Sequence, residues 1–428
     1  MSIAVLDIND ASLSLWRGAE RTLLSPGYAL LEGKQYRFGE AARDQARLHP
    51  RQINHRFWSQ LDMEPLTPAF GPGRHHADLV HAHLLAIHEE AGRPDSLVIA
   101  APGSLQHDQL ALLLGIIEAC PFSVSGLVDR AVAATAQVAA SAYNWHIELQ
   151  LNQALLTGMR WEDGLLIRDN MVPIPGSGWL AVQENLARAI ADAFIQQTRF
   201  DPRRSAKSEQ SLYDQLPALL QRLQQSGETN LDIEGRQARI ERSRLAEACD
   251  SHYQRIVRTV AAGDAQVMLG ASLENLPGLK DQLADAVTCS AEAVSQGVES
   301  HSEAILADAS GVRFITSLAA KSNSSAAAST PQVEPAPSAP QPGTQEPGNP
   351  ENSTAATVAE RIAPGSCQIE LVGGNATLSP LPGPPITVNG RSIQGREPLH
   401  DGDVIEFADG TAWRLVAAGN RENDGTQT

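Results

Sequence analysis

Aromatic side chains are scarce, at 4% of the 428 residues, although an apolar content of 42% is enough for a core. Basic residues are outnumbered: 33 Lys and Arg face 50 Asp and Glu, a formal charge of −17. Nonspecific binding to nucleic acid or anionic lipid needs basic patches, so this balance argues against both and mainly favours solubility. The four cysteines, Cys120, Cys249, Cys289 and Cys367, form no C-x-x-C pair and no dense block, which suits a reducing cytosol. No apolar run is long enough to span a bilayer; LALLLGII (110–117) is bounded by polar residues. The opening MSIAVLDI reads as a strand, not as a basic region followed by a long apolar one. The expectation is a soluble, cytoplasmic protein with no membrane span and no nucleic-acid partner.

The length allows two or three domains. Near residue 319 the composition shifts to Ala, Ser, Pro, Gly, Gln and Glu with almost no large apolar residues. Such a stretch cannot offset chain entropy by burial and is expected to be a long disordered linker over 319–363. It separates region 1–318 from a small module at 364–419, which a polar tail follows at 420–428.

Within 1–318, strands and helices alternate, which argues an α/β architecture. VLDINDASLSLW (5–16) reads as strand, tight turn and returning antiparallel strand. Helices are expected over 38–49, 76–92, 107–120, 131–141, 178–200 and, despite Pro217, 211–225. SLVIAAPG (96–103) reads as a buried strand, and 146–172 as strands broken by a hairpin turn at Glu162-Asp163-Gly164. LDIEGRQARIERSRLAEAC (231–249) reads as two strands and a helix, and AQVMLGASLENLPGLKDQLAD (265–285) as strand, glycine turn, helix. The histidines His75, His76, His81, His83 and His88 show no i,i+4 pair and no accompanying cysteine, so a solvated helix face is expected rather than a metal site. No Ser-His-Asp or Cys-His arrangement is legible.

Five stretches, in order, resemble the actin/sugar-kinase/heat-shock ATPase superfamily, and most of all the nucleotide-binding domain of DnaK-type chaperones. FGEAARDQARLHPRQ is similar to that family's G-E-A-A-x-x-Q segment, and LVIAAPGSLQHDQ to its V-I-T-V-P-A segment. GLVDRAVAATAQVAAS resembles its connecting helix, PIPGSGWLAVQENLARAIADAF its Gly-Gly turn and helix, and VMLGASLENLPGLKDQL its adenosine motif. The resemblance implies two ribonuclease-H-like lobes, each a mixed sheet flanked by helices, around a cleft for ATP with Mg²⁺. It also implies two hairpins that grip phosphates and a Gly-Gly turn at the nucleoside.

The residues matching that site are eroded. The family's D-L-G-T-T-x-S hairpin stands here as Asp7-Ile8-Asn9-Asp10-Ala11-Ser12-Leu13. Asp7 matches the aspartate that orders the metal's waters. The glycine that lets backbone N–H groups approach phosphate is gone, and the Asp10 carboxylate would repel a phosphate by about 1 kcal/mol in water and more in a partly buried cleft. The second hairpin, Glu148-Leu149-Gln150-Leu151-Asn152-Gln153-Ala154-Leu155, keeps only its first acid, and Leu151 would narrow the pocket. Asp129 matches the connecting-helix glutamate, and Arg56 is the base nearest the catalytic lysine's place. Gly270 and Ser272 match the adenosine turn, with Ala271 for its second glycine. Asp7, Asp129, Glu148, Gly270 and Ser272 are thus the candidate cofactor-binding residues, with strand-end capping as the structural alternative for the acids.

The C-terminal TVNGRSI and LHDGDVIEF resemble the later strands of a forkhead-associated (FHA) domain, and Asn389-Gly390 is a hairpin signal. That family's Gly-Arg and Ser-x-x-His pair has no counterpart, so a small all-β module that binds a protein partner without reading phosphothreonine is expected. A polar linker would not transmit a nucleotide signal mechanically. The expected function is a non-catalytic or weakly nucleotide-binding scaffold or regulator. The alternatives are an ATPase with rearranged loops, its acids around a metal, or an actin-like assembly platform.

Overall fold

A computed structural model describes residues 3–138, 141–260, 265–283, 285–306 and 311–319. Beyond these it describes 361–362, 367–372, 375–380, 386–389, 391–393, 395–399, 404–406 and 412–414. The fold is mixed α/β. The chain divides into two units, Met1–Pro331 and Gln332–Thr428.

The first unit holds two six-stranded sheets. In the first, β1 (Ala4–Asp7), β2 (Ser14–Arg17) and β3 (Glu20–Leu24) form an antiparallel meander. On the other side of β1 lie β4 (Ser96–Ala101) and then β5 (Ser123–Asp129), both parallel to it. β4 is SLVIAA, apolar after its first residue and buried there, as a strand covered on both faces requires. The order β3-β2-β1-β4-β5 is completed by Phe314–Ile315. Between β3 and β4 come a three-stranded sheet (Ala29–Glu32, Gln35–Phe38, Ile53–Asn54) and α1 (His76–Glu90). The helix α2 (His107–Glu118) links β4 to β5, and α3 (Arg130–Ala136) follows β5.

The second sheet repeats this order. β6 (Tyr143–Leu149), β7 (Gln153–Glu162) and β8 (Leu165–Pro175) form the meander. Then α4 (Trp179–Thr198), α5 (Ala206–Ser226), a hairpin and α6 (Arg242–Val260) lead to β9 (Gln266–Leu269) and β10 (Val287–Thr288). β9 is parallel to β6 and β10 to β9, giving β8-β7-β6-β9-β10, with Ser317–Ala319 beside β8. After β10 comes α7 (Ala293–Ser300), the counterpart of α3, and the two pack together. Gly297 lies so close to the Ala133 carbonyl that a Cβ there would collide with it. Around this pair, Val5, Val98 and Val128 of the first sheet share an apolar cluster with Met159, Leu166 and Met268 of the second.

Three expectations need correction. The helix read over 38–49 is α-helical only at Gly39–Arg43. The next helical hydrogen bond is replaced at both ends: the Gln210 side chain accepts from Arg47 N–H at 2.7 Å, while the Arg43 carbonyl accepts from Ala46 N–H at 2.9 Å and from the Gln210 amide at 3.4 Å. The histidine face of α1 is not solvated throughout, since His83 and His88 are buried. His83 Nδ1 accepts from the Trp58 indole N–H at 3.0 Å and its Nε2 lies 2.8 Å from Ser25 Oγ, and burial pulls its pKa down to about 3. The helix read over 131–141 starts at Arg130 and ends at Ala136. In α5, Pro217 is tolerated on the exposed side while Leu212, Leu216, Leu219 and Leu223 carry the buried stripe.

The boundaries shift slightly. Ala319 belongs to a strand of the first unit, and Arg361–Ile362 already pairs with Cys367–Val372. The linker read over 319–363 otherwise lies outside the described residues, as do Gly390 and the tail. The described second-unit strands form two four-stranded sheets, and Asn389, at φ +51°, turns Ile386–Val388 into Arg391–Ile393. Among the described residues no helix is long and apolar enough to cross a membrane.

Candidate functional site

The ends of β1, β5 and β6 meet between the two sheets. β1 ends in Asp7 and β6 carries Glu148 near its end, both buried. Burying two acids side by side needs a compensating cation, and Arg130, the first residue of α3, supplies it. Its Nε donates to Asp7 Oδ1 at 2.7 Å and its Nη2 to Asp7 Oδ2 at 3.2 Å, while Nη1 pairs with Glu148 Oε2. Arg130 as a whole residue is only 8% exposed. His146 Nδ1 lies 3.8 Å from Glu148 Oε2, but burial and the Arg130 charge hold its pKa down at about 3, so it is neutral.

A cavity of about 260 Å³ opens beside this bridge. Asp7, Arg130, His146, Glu148, Gly270 and Ser272 line it. Four of the five candidate residues are thus brought together. Gly270 N–H donates to the Ile147 carbonyl at 2.8 Å, which holds the β9 turn against β6, and Ser272 is exposed. Asp129 is placed apart: one carboxylate oxygen caps α3, accepting from Ala131 N–H at 2.9 Å and Val132 N–H at 3.2 Å. Its other oxygen accepts from Arg168 Nη1 at 2.7 Å. Arg56, the other base considered, is exposed and lines none of this.

The turns after β1 and β6 face each other. In the first, Asn9 Oδ1 accepts from Ala11 N–H at 3.0 Å, an Asx turn that makes glycine unnecessary. Asp10 reaches across and accepts from Leu151 N–H at 2.6 Å. Burial raises the Asp10 pKa to about 6, against the lowering by the Leu151 and Ala11 N–H groups. In the second turn, the Gln150 and Leu151 carbonyls accept from Trp179 and Leu180 N–H at 2.8 and 3.0 Å, which satisfies the start of α4 from within. Gly178 is required there, because a Cβ would strike the backbone at Leu151–Gln153. The Leu151 side chain is fully buried with Tyr28 and Leu30.

No family model matches the chain, and no curated protein matches it in sequence. The residue the sequence reading missed is Arg130. Its one signal was a charged residue opening a helix otherwise made of Ala, Val and Thr.

Proposed function

We propose that the chain is a DnaK-like, actin-like protein whose cleft no longer handles nucleotide, and that it works as a scaffold or regulator. The carrying observation is the Asp7–Arg130–Glu148 bridge. Support for two related lobes is the repeated strand order of the two sheets, with α3 and α7 packed at their junction. By the resemblance, Asp7 and Glu148 would order the waters of a divalent ion, yet Arg130 already neutralises both. The two turns that would grip phosphates grip each other instead, with the Asp10 carboxylate on a backbone N–H that a phosphate would use. ATP with Mg²⁺ therefore does not fit these residues as they stand: the ion meets a buried guanidinium, and the triphosphate meets a carboxylate. The FHA-like module at the C-terminus would recruit a protein partner.

Isothermal titration of the full chain with ATP and Mg²⁺ tests this reading. No measurable heat and no phosphate release are expected; micromolar affinity with turnover overturns it. The rival reading draws on the cavity shared by Asp7, Glu148, Gly270 and Ser272. It requires Asp7→Ala to abolish a phosphate release that wild type shows, measured with malachite green.

A further inference from the structure

A second cavity, of about 250 Å³, lies away from the Arg130 bridge, where residues 28–55 meet α4 and α5. Its polar lining is unusual for what it leaves unmade. Gln183 of α4 is 7% exposed and lines the cavity, and its amide has no partner among the described residues. Tyr28, 5% exposed, likewise holds a hydroxyl without a partner there, and His55 Nδ1 has none. Of these, His55 Nδ1 is itself shut off from solvent, and leaving it unsatisfied costs about 1–3 kcal/mol. By contrast Gln210 is fully engaged, between Arg47 N–H and Asp214 Oδ1, each at 2.7 Å.

Arg47 supplies the charge. Its guanidinium lies 3.8 Å over the Tyr213 ring, and its nearest carboxylate oxygen, on Glu209, is 3.9 Å away. Stacking holds the fork flat while leaving its N–H groups free of hydrogen bonds, the state in which arginine receives a planar or tetrahedral oxyanion. Arg43 also lines the cavity but is already paired with Glu40 at 2.9 Å and Asp44 at 3.1 Å, so Arg47 is the cation left for a ligand; the one acid in the lining, Asp214, is bonded to Gln210. Tyr28, Gln183 and Arg47 can all donate, so a ligand rich in acceptors fits this lining. The volume is below that of drug-sized sites.

We propose that this cavity binds a small oxyanion-bearing metabolite, its carboxylate or phosphoryl group seated on Arg47 with Tyr28 and Gln183 completing its hydrogen bonds. Such a ligand touches residues 28–55 on one side and α4 and α5 on the other. Its binding therefore clasps the part inserted after β3 to the helices that follow β8. Nothing in this depends on whether the Arg130 bridge excludes nucleotide.

The test is calorimetry and thermal unfolding of the full chain with two probes, inorganic phosphate and succinate, at low ionic strength. At least one probe should bind at millimolar concentration and raise the unfolding midpoint; which one does identifies the phosphoryl or the carboxylate arm. Arg47→Ala and Arg47→Lys should each weaken binding about tenfold or more, about 1.4 kcal/mol, because the lysine lacks the fork. Gln183→Leu should weaken it several-fold, and the exposed Arg56→Ala should leave it unchanged. Variants are compared only where their ligand-free circular dichroism matches wild type. Failure of both probes to bind, or binding that survives Arg47→Ala and Arg47→Lys, overturns the proposal.

Discussion

The turn after β1 and the turn after β6 hold the same place in two sheets of the same order, yet they are filled in opposite ways. The first is polar: Asn9 ties its own backbone, and Asp10 projects a carboxylate that is nearly buried. The second is apolar at its tip: Leu151 drives a side chain into the cluster of Tyr28 and Leu30, and its carbonyl caps α4. The difference teaches that the two turns work as one joint. The first provides an acceptor, and the second provides the N–H that meets it. Below the joint, Arg130 closes the remaining gap between the strand ends.

Removing the charge at the bottom of the joint should have the largest effect. Arg130→Met leaves two buried carboxylates without a cation and should destabilise the first unit by about 3–5 kcal/mol, read from the denaturant midpoint. Adding Asp7→Asn and Glu148→Gln should recover much of that loss; if the triple variant is as unstable as the single one, the guanidinium acts by packing and not by charge. Next comes the apolar turn. Leu151→Ala removes a fully buried side chain and should cost about 2–4 kcal/mol. Gly297→Ala, where α3 and α7 touch, should cost about 1–3 kcal/mol by overpacking, and unchanged stability would mean that the two sheets can slide apart without loss.

The polar turn gives the smallest effect and the most specific one. Asp10 titrates at about 6 when folded, above the unfolded carboxyl value of 3.8. Between those values the folded chain keeps a proton that the unfolded chain has released, so this group favours folding at low pH and its contribution declines as pH rises through that window. At one pKa unit per 1.36 kcal/mol, wild type should lose roughly 1–3 kcal/mol relative to Asp10→Asn between pH 4 and pH 7. Parallel pH profiles for the two proteins would show that the carboxylate is better solvated than its burial implies.

Much of the alternation was legible along the chain, because strand and helix periods and Gly or Pro stops are local. SLVIAA is a strand and HADLVHAHLLAIHEE a helix in any context that buries them. The exceptions were long-range. The helix over 38–49 stops early where Gln210, 163 positions away in sequence, accepts the Arg47 N–H that a further helical turn would use. His83 looked like one of several surface histidines until Trp58 and Ser25 were packed over it.

By itself the sequence determined that strands would alternate with helices, and that the two turns carry no glycine at their tips. Only the tertiary structure decided what those turns and acids do. Asp7 and Arg130 are 123 positions apart, and Asp10 and Leu151 are 141. Charge pairing and backbone satisfaction at such separations depend on how two sheets dock, and no local pattern of residues encodes that.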